Sequence, residues 1–100
     1  MNTRSLTVQL GRVVITPNAL GAIQSEDIAR AILNHSQGNW GEVCPEDAQE
    51  NNRSLVEGCR ILSAYSDRQG RKFWIITEGD RSVTNVELHI SHVMLSSRKC

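Results

Sequence analysis

The segment "KFWIITEGDRSVTNVELHI" (residues 72–90) decides the fold class, because it contains two β-rich runs joined by a short charged turn. The first run has four consecutive apolar residues (73–76), which is typical of a central strand buried on both faces. In the second run, less polar residues alternate with more polar ones, so one face is drier and holds Thr84, Val86, Leu88 and Ile90. The turn "EGDR" (78–81) between them predicts an antiparallel hairpin.

Two further strands are predicted on the N-terminal side of this hairpin. "CRILSAY" (residues 59–65) precedes the turn "SDRQG", so the last third of the chain predicts a three-stranded antiparallel β-meander. "LTVQLGRVVIT" (residues 6–16) is rich in β-branched residues and predicts an N-terminal strand that is bent at Gly11.

Two helical regions are predicted between these strands. The first begins with Thr16 as the N-cap, is interrupted near Gly21, and restarts after a Ser25 cap as "EDIARAILNH", whose inner face holds Ile28, Ala31, Ile32 and His35. The second, "PEDAQENNRSLVEG" (residues 45–58), has an acidic first turn and a C-terminal glycine. We therefore predict one α+β domain over residues 1–100, with an N-terminal strand, two helices and a C-terminal three-stranded antiparallel β-meander, the helices covering one sheet face.

Composition narrows the classes of function. The 100 residues are 39% hydrophobic and 22% charged, and 11 basic side chains balance 11 acidic ones, so no global field attracts nucleic acid. Three cysteines are an odd number, which argues against a disulfide framework and favours a reducing compartment. No run matches a signal peptide or the roughly 20 apolar residues that span a bilayer. We expect a cytoplasmic protein without membrane association.

The segment "GNWGEVCPEDAQENNRSLVEGCRILSAYSDRQGRKFWIITEGDRSVT" (residues 38–84) resembles a family of small uncharacterised bacterial proteins, often encoded on plasmids, phages and integrated mobile elements. Their pattern reads "GDWG", "EED", "G-x-R-I-L-S-A-Y" and "K-x-W-I-I-T-E-x-D-R-S". The "LGRVVITPNAL" opening is also similar. The chain has Asn39 where the pattern has Asp, and Asn85 where the pattern has a second Thr. Its tail "ELHISHVMLSSRKC" also differs from the ending of the pattern.

The resemblance implies a context and no activity. We expect a non-enzymatic protein-binding module, an accessory factor of a mobile genetic element, and in the most specific form an inhibitor of a host defence complex of the anti-CRISPR or anti-restriction type. The partner is then another protein or protein complex. A homodimer through an exposed sheet edge is a further expectation.

Two surfaces are candidates for partner binding. The first combines a loop tryptophan with the acidic start of the second helical region, and its residues are Trp40, Glu42, Glu46, Asp47 and Glu50. Trp40 either folds back as a lid on the core or is an exposed anchor for a partner. The second surface is the charged hairpin turn with Glu78, Asp80 and Arg81, for which a purely architectural role is the alternative.

Two alternatives belong to other classes of function. A nucleic-acid-binding regulator would use the cations Arg68, Arg71, Lys72, Arg98 and Lys99. A small thiol-dependent enzyme or redox-sensitive protein would use Cys44, which precedes a helix whose dipole favours a thiolate. His35, His89 or His92 would then serve as the base.

Metal binding is not predicted. His89, His92, Cys44, Cys59 and Cys100 supply suitable ligand atoms, but no C-x-x-C spacing is present, and the two histidines of "HISH" would point to opposite faces of a strand. No phosphate-binding glycine motif occurs either. We expect neither a metal nor a cofactor.

Overall fold

The computed structural model describes residues 7–89 and contains one four-stranded sheet and three helices. The elements in chain order are β1 (Arg12–Ile15), α1 (Pro17–Ala22), α2 (Ser25–Ser36), α3 (Pro45–Glu57), β2 (Ile61–Ser66), β3 (Lys72–Thr77) and β4 (Val83–Leu88). The predicted α+β class is confirmed. Within residues 7–89, no helix has both the length and the apolar character needed to cross a membrane.

The sheet is mixed, and this corrects the predicted topology. Strand order is β1-β4-β3-β2; β2, β3 and β4 pair antiparallel in chain order, whereas β1 pairs parallel to β4, with Val13 opposite Thr84. The three predicted meander strands therefore belong to a larger sheet. Parallel neighbours require a long crossover, and here the segment between β1 and β4 contains all three helices.

The N-terminal strand is shorter than predicted. It begins after Gly11, which has a φ of 62°, and a Cβ atom there would lie 2.3 Å from the carbonyl oxygen of Ser82. Only glycine tolerates both the left-handed backbone and this close approach. The predicted bend at Gly11 therefore separates β1 from residues 7–10, and Leu6 lies outside the described residues.

Three helices form instead of two. Thr16 caps α1 as predicted, and its hydroxyl accepts a hydrogen bond from the Ala19 amide at 3.4 Å. The break is complete, because Ile23 has an extended backbone and α2 starts again at Ser25 with Gln24 as its N-cap. The predicted Ser25 cap is thus wrong by one residue. Cys44, Pro45 and the left-handed Gly58 bound α3 as the sequence indicates.

The helices cover different parts of the sheet. Side chains of α1 and α2 pack on one face and form the main core, which includes Ile23, Ile28, Phe73, Ile75 and Val86. A second cluster surrounds Val8, Trp40 and Ile61, with Ala48 and Leu55 of α3 against it. Helix α3 packs against β2, the strand at one edge of the sheet.

The outer edge of β2 is occupied by two polar contacts. The Asn51 amide donates to the carbonyl oxygen of Leu62 at 2.8 Å and accepts from the Leu62 amide at 3.1 Å. One residue pair further on, the Ala64 amide donates to Trp40 and the Glu42 amide donates to Ala64. These bonds use backbone groups of Leu62 and Ala64 at the edge of β2 where a neighbouring strand would otherwise pair.

Candidate partner-binding surface

The hairpin turn at residues 78–81 connects three elements. The Arg81 guanidinium donates to the carbonyl oxygens of Ser54 (2.9 Å), Cys59 (2.7 Å) and Glu78 (3.1 Å). Ser54 lies in the last turn of α3, where a positive charge is favourable, and its carbonyl oxygen also accepts from the Gly58 amide at 2.9 Å. Arg81 is therefore half-buried and holds the end of α3 against the hairpin.

The acidic residues of the turn also have local partners. Asp80 accepts from the amide and the hydroxyl of Ser82, and these hydrogen bonds lower the pKa of Asp80. Glu78 pairs with Arg60 at 3.3 Å. The architectural interpretation thus accounts for every charged side chain of this turn, although Asp80 itself remains exposed.

Trp40 is a lid on the second core cluster. Its side chain is 6% exposed, its indole N–H donates to Asn52 at 3.2 Å, and its ring meets the His35 ring edge-to-face at 5.8 Å. The neighbouring residue Gly41 lies close to β2, because a Cβ atom there would be 2.1 Å from the Ala64 carbonyl oxygen. Trp40 offers little surface to a partner, and the lid alternative describes its position.

Of the four carboxylates of the first candidate surface, Glu42 precedes α3, Glu46 and Asp47 lie in its first turn, and Glu50 lies in its second turn. Glu42 is bound by Lys72 at 2.7 Å and by Ser66 at 3.0 Å, and the Lys72 bond is the main cause of the lowered pKa of Glu42. Glu50 pairs with Arg53. Within residues 7–89, Glu46 and Asp47 form no ion pair or side-chain hydrogen bond. The surface thus retains uncompensated negative charge.

A cavity of about 350 Å³ opens beside these carboxylates. Its described lining is mostly apolar, with Trp74 and Ala64 from the sheet and Val43 from the loop before α3. Charged groups at the same cavity are Glu42, Asp47 and Lys72, and its lining also includes Cys44 and His89. This volume falls in the range of about 300–1,000 Å³ that is typical of ligand pockets.

Sequence reasoning missed Trp74 and His89 as members of this surface. The sequence predicts that the strand containing Trp74 is buried on both faces. In the structure the Trp74 side chain is only half-buried, and the centroid of its ring lies 5.2 Å from that of the His89 ring. A signal was present, because side chains two apart share a face and Lys72 therefore lies on the same face as Trp74. A lysine at that position marks a face with access to solvent.

The described basic residues of the nucleic-acid alternative are all paired. Arg68 bonds to Asp27 and Glu26, Arg71 donates to the Ala22 carbonyl oxygen at 2.8 Å, and Lys72 binds Glu42. Hydrogen bonds from the Arg68 side chain, and then from its backbone amide, lower the pKa of Asp27 to about 2. Arg98 and Lys99 lie outside the described residues.

His35 is unable to act as a base for Cys44. It is fully buried, its Nδ1 bonds to Ser63, and its Nε2 bonds to Thr77 at 2.8 Å. Burial is the main cause that lowers its pKa to about 4, and the charge of Arg81 adds to it. Cys44 is exposed at the start of α3, and of the two described histidines, His35 and His89, His89 lines the same cavity as Cys44.

Metal ligands do not converge in the described part of the chain. Among residues 7–89, no group of three or more His, Cys, Asp and Glu side chains is arranged to hold a metal ion. His92 and Cys100 lie outside these residues.

Comparisons of the chain with protein-family models, with curated proteins and with solved structures found no match. The class that the fold and the surface define is thus a small α+β protein with an acidic, partly apolar surface beside α3.

Proposed function

We propose that this protein is a non-enzymatic binding module that recognises another protein through the N-terminal end of α3 and the cavity beside it. The observation that carries the proposal is the combination of two carboxylates that have no ion pair among residues 7–89, Glu46 and Asp47, with an apolar cavity walled by Trp74. An apolar centre with a charged rim is the usual anatomy of a protein–protein interface.

The proposed surface differs from the sequence-based one in its aromatic residue. Trp74 takes the place of Trp40, since Trp40 is buried against His35 and its removal would disturb the core. Glu42, Glu46, Asp47 and Glu50 remain part of the surface. The turn residues Glu78, Asp80 and Arg81 are left out, because their contacts within the chain explain their positions.

The partner we favour is a host protein complex with a basic contact region. The resemblance to proteins of mobile elements supports an accessory factor that acts on such a complex, and inhibition of a defence complex is the most specific form of this proposal. Negative charge on a small protein can match a positively charged partner surface and accelerate encounter.

The test is capture of partners from a bacterial lysate by the tagged chain and by two matched variants. Glu46→Lys reverses a charge in the proposed surface, whereas Glu57→Lys makes the same change at the other end of α3. We expect one protein complex to bind the wild type and the Glu57 variant and to be lost with the Glu46 variant.

Nuclease treatment of a parallel sample separates the classes of partner. Capture that survives nuclease but is indifferent to Glu46→Lys would place the interface elsewhere on the protein. Capture that disappears with nuclease would instead favour the nucleic-acid alternative.

A further inference from the structure

The cavity beside α3 has a chemical preference that goes beyond its size. Its described walls combine an indole, a methyl group and a branched aliphatic side chain, supplied by Trp74, Ala64 and Val43. The Trp74 ring also packs against the ring of His89, with 5.2 Å between the ring centroids and an interplanar angle of 42°. A flat apolar group that enters the cavity therefore meets an aromatic wall whose position is supported by a second ring.

Charge at the cavity favours a cation. Two carboxylates, Glu42 and Asp47, and one ammonium, Lys72, lie in its lining. Lys72 is already held by Glu42 at 2.7 Å, which leaves Asp47 without a positive partner among residues 7–89. Glu46, in the same helical turn, adds further negative charge outside the cavity. The remaining charge therefore complements a positive occupant.

We propose that this cavity binds an arginine side chain of the partner protein. A guanidinium group is planar, stacks on an indole face, and presents several N–H donors to a carboxylate. It is also more weakly hydrated than an ammonium group, so its transfer into a mostly apolar cavity costs less. Trp74 and Asp47 together thus match two features of the guanidinium group. The indole ring can stack on its planar face, and the carboxylate can accept hydrogen bonds from the N–H groups at its edge.

This inference rests on the proposed function, because it identifies the chemistry of the partner at the same surface. Arginine is enriched among the residues that dominate protein–protein interfaces, and such anchors enter pockets that exclude water. An arginine from a basic partner would therefore add a specific contact to the general electrostatic attraction between the acidic surface and that partner.

The test needs no partner protein. N-acetyl-arginine methylamide is titrated into the isotope-labelled full chain, and the amide signals of Asp47 and Ala64 and the indole signal of Trp74 are followed by NMR. We expect saturable shifts at these three positions. The citrulline analogue, which has the same shape without the charge, should produce much weaker shifts at the same concentrations.

A pair of variants makes the site assignment specific. Asp47→Asn removes the carboxylate in the cavity and should weaken binding of the arginine probe by about five- to tenfold. Glu57→Gln removes a carboxylate at the other end of α3 that does not line the cavity, and it should change the affinity by less than about twofold. Trp74→Leu retains an apolar side chain but removes the ring. It should therefore also weaken binding of the arginine probe, independently of the carboxylate, through the loss of stacking.

The outcomes separate this inference from the proposed function. Equal shifts with arginine and citrulline, or equal affinities for the Asp47 and Glu57 variants, would overturn the arginine assignment. Partner capture that still depends on Glu46 would then leave the binding surface in place with a different contact. Binding of arginine without any dependence of capture on Glu46 would remove the proposed function and leave only an arginine-binding cavity.

Discussion

His35 lies in a chain of hydrogen bonds that ends at the carbonyl oxygen of Leu10. Because a carbonyl oxygen can only accept, it fixes which atom donates in each of the other bonds. Thr84 must donate to that carbonyl at 2.7 Å, so its oxygen accepts from Thr77, which is also 2.7 Å away. Thr77 has then used its proton and must accept from Nε2–H of His35. Nδ1 is left as the acceptor for Ser63, and the histidine is neutral in its Nε2–H tautomer.

Thr77→Val tests this chain of bonds, because it removes the acceptor for His35 while nearly preserving the shape of the side chain. A buried donor without a partner costs about 1–3 kcal/mol, so the free energy of unfolding should fall by that amount. Urea denaturation measures it. Thr7→Val, the same change at an exposed position, should alter stability by less than about 0.5 kcal/mol. Equal effects of the two changes would contradict the assignment.

Arg81 also makes more contacts than its position in a charged hairpin turn suggests. It is the only residue other than glycine within residues 7–89 with positive φ, at 62°. That backbone conformation is unfavourable for a side chain with a Cβ atom, and the bonds to three carbonyl oxygens compensate for it.

Arg81→Lys keeps the charge but replaces a planar fork with a single ammonium group that cannot reach the same three oxygens. Hydrogen bonds with a charged partner contribute about 1.5–3 kcal/mol, and we expect a loss of stability in that range. Thermal or urea unfolding monitors the change. Arg53→Lys on the exposed side of α3 is the matched control, and a comparable loss there would refute the special role of Arg81.

At the scale of elements, α3 replaces a strand neighbour for β2 through one side chain. Asn51 is fully buried, and its amide both donates to and accepts from the backbone of Leu62. Helix α3 contains few apolar residues, and Asn51 explains how such a helix is anchored. Its docking is partly polar rather than wholly hydrophobic.

Asn51→Asp should destabilise the protein strongly at neutral pH, because a carboxylate cannot donate to the Leu62 carbonyl and is costly to bury. As the pH falls and the carboxyl group is protonated, its O–H becomes a donor, so the destabilisation relative to wild type should shrink. Unfolding curves at several pH values measure this difference.

Asn52→Asp is the matched control for that experiment. Asn52 is exposed and accepts from the Trp40 indole N–H, a role that a carboxylate also performs. We expect little effect of this change at any pH. A destabilisation of the Asn51 variant that is independent of pH would show that lost packing, not the lost donor, is responsible.

The elements predicted correctly from sequence are those defined by local chemistry. Thr16 with Pro17 starts α1, and Gly58 ends α3, because capping depends on residues within one turn. The parallel pairing of β1 with β4 was not predicted, since no local pattern specifies which distant strand a short apolar run will join. The role of Asn51 was missed for the same reason, as its partner lies on another element.

At the scale of the whole molecule, balanced composition conceals an uneven distribution of charge. The cations Arg68, Arg71 and Lys72 form ion pairs in the fold, whereas Glu46 and Asp47 form none with the residues that the structure describes. Sequence counts give a net charge of zero and cannot show which charges cancel. The acidic residues of the candidate surface were therefore predictable as a group, but the cavity and Trp74 depend on the packing of loop, helix and sheet.

The buried histidine makes the stability of the whole molecule depend on pH. His35 has a pKa of about 4 in the folded protein, against an ordinary value of 6.5, so the unfolded chain binds its proton first as pH falls. Its contribution is fully present above about pH 6.5 and is lost progressively down to about pH 4. Each pKa unit corresponds to 1.36 kcal/mol, which gives a total of about 3 kcal/mol. Asp27, with a lowered pKa of about 2, loses its contribution only in more acidic solution.

Urea denaturation between pH 4 and 7 should therefore show stability rising with pH, with the steepest part below pH 6.5. Direct NMR titration of the imidazole carbons assigns the effect, because the His35 signals should not titrate in the folded protein above about pH 5. A folded protein in which His35 titrates near 6.5 would contradict the neutral, hydrogen-bonded role, because such a group would add no pH dependence to folding.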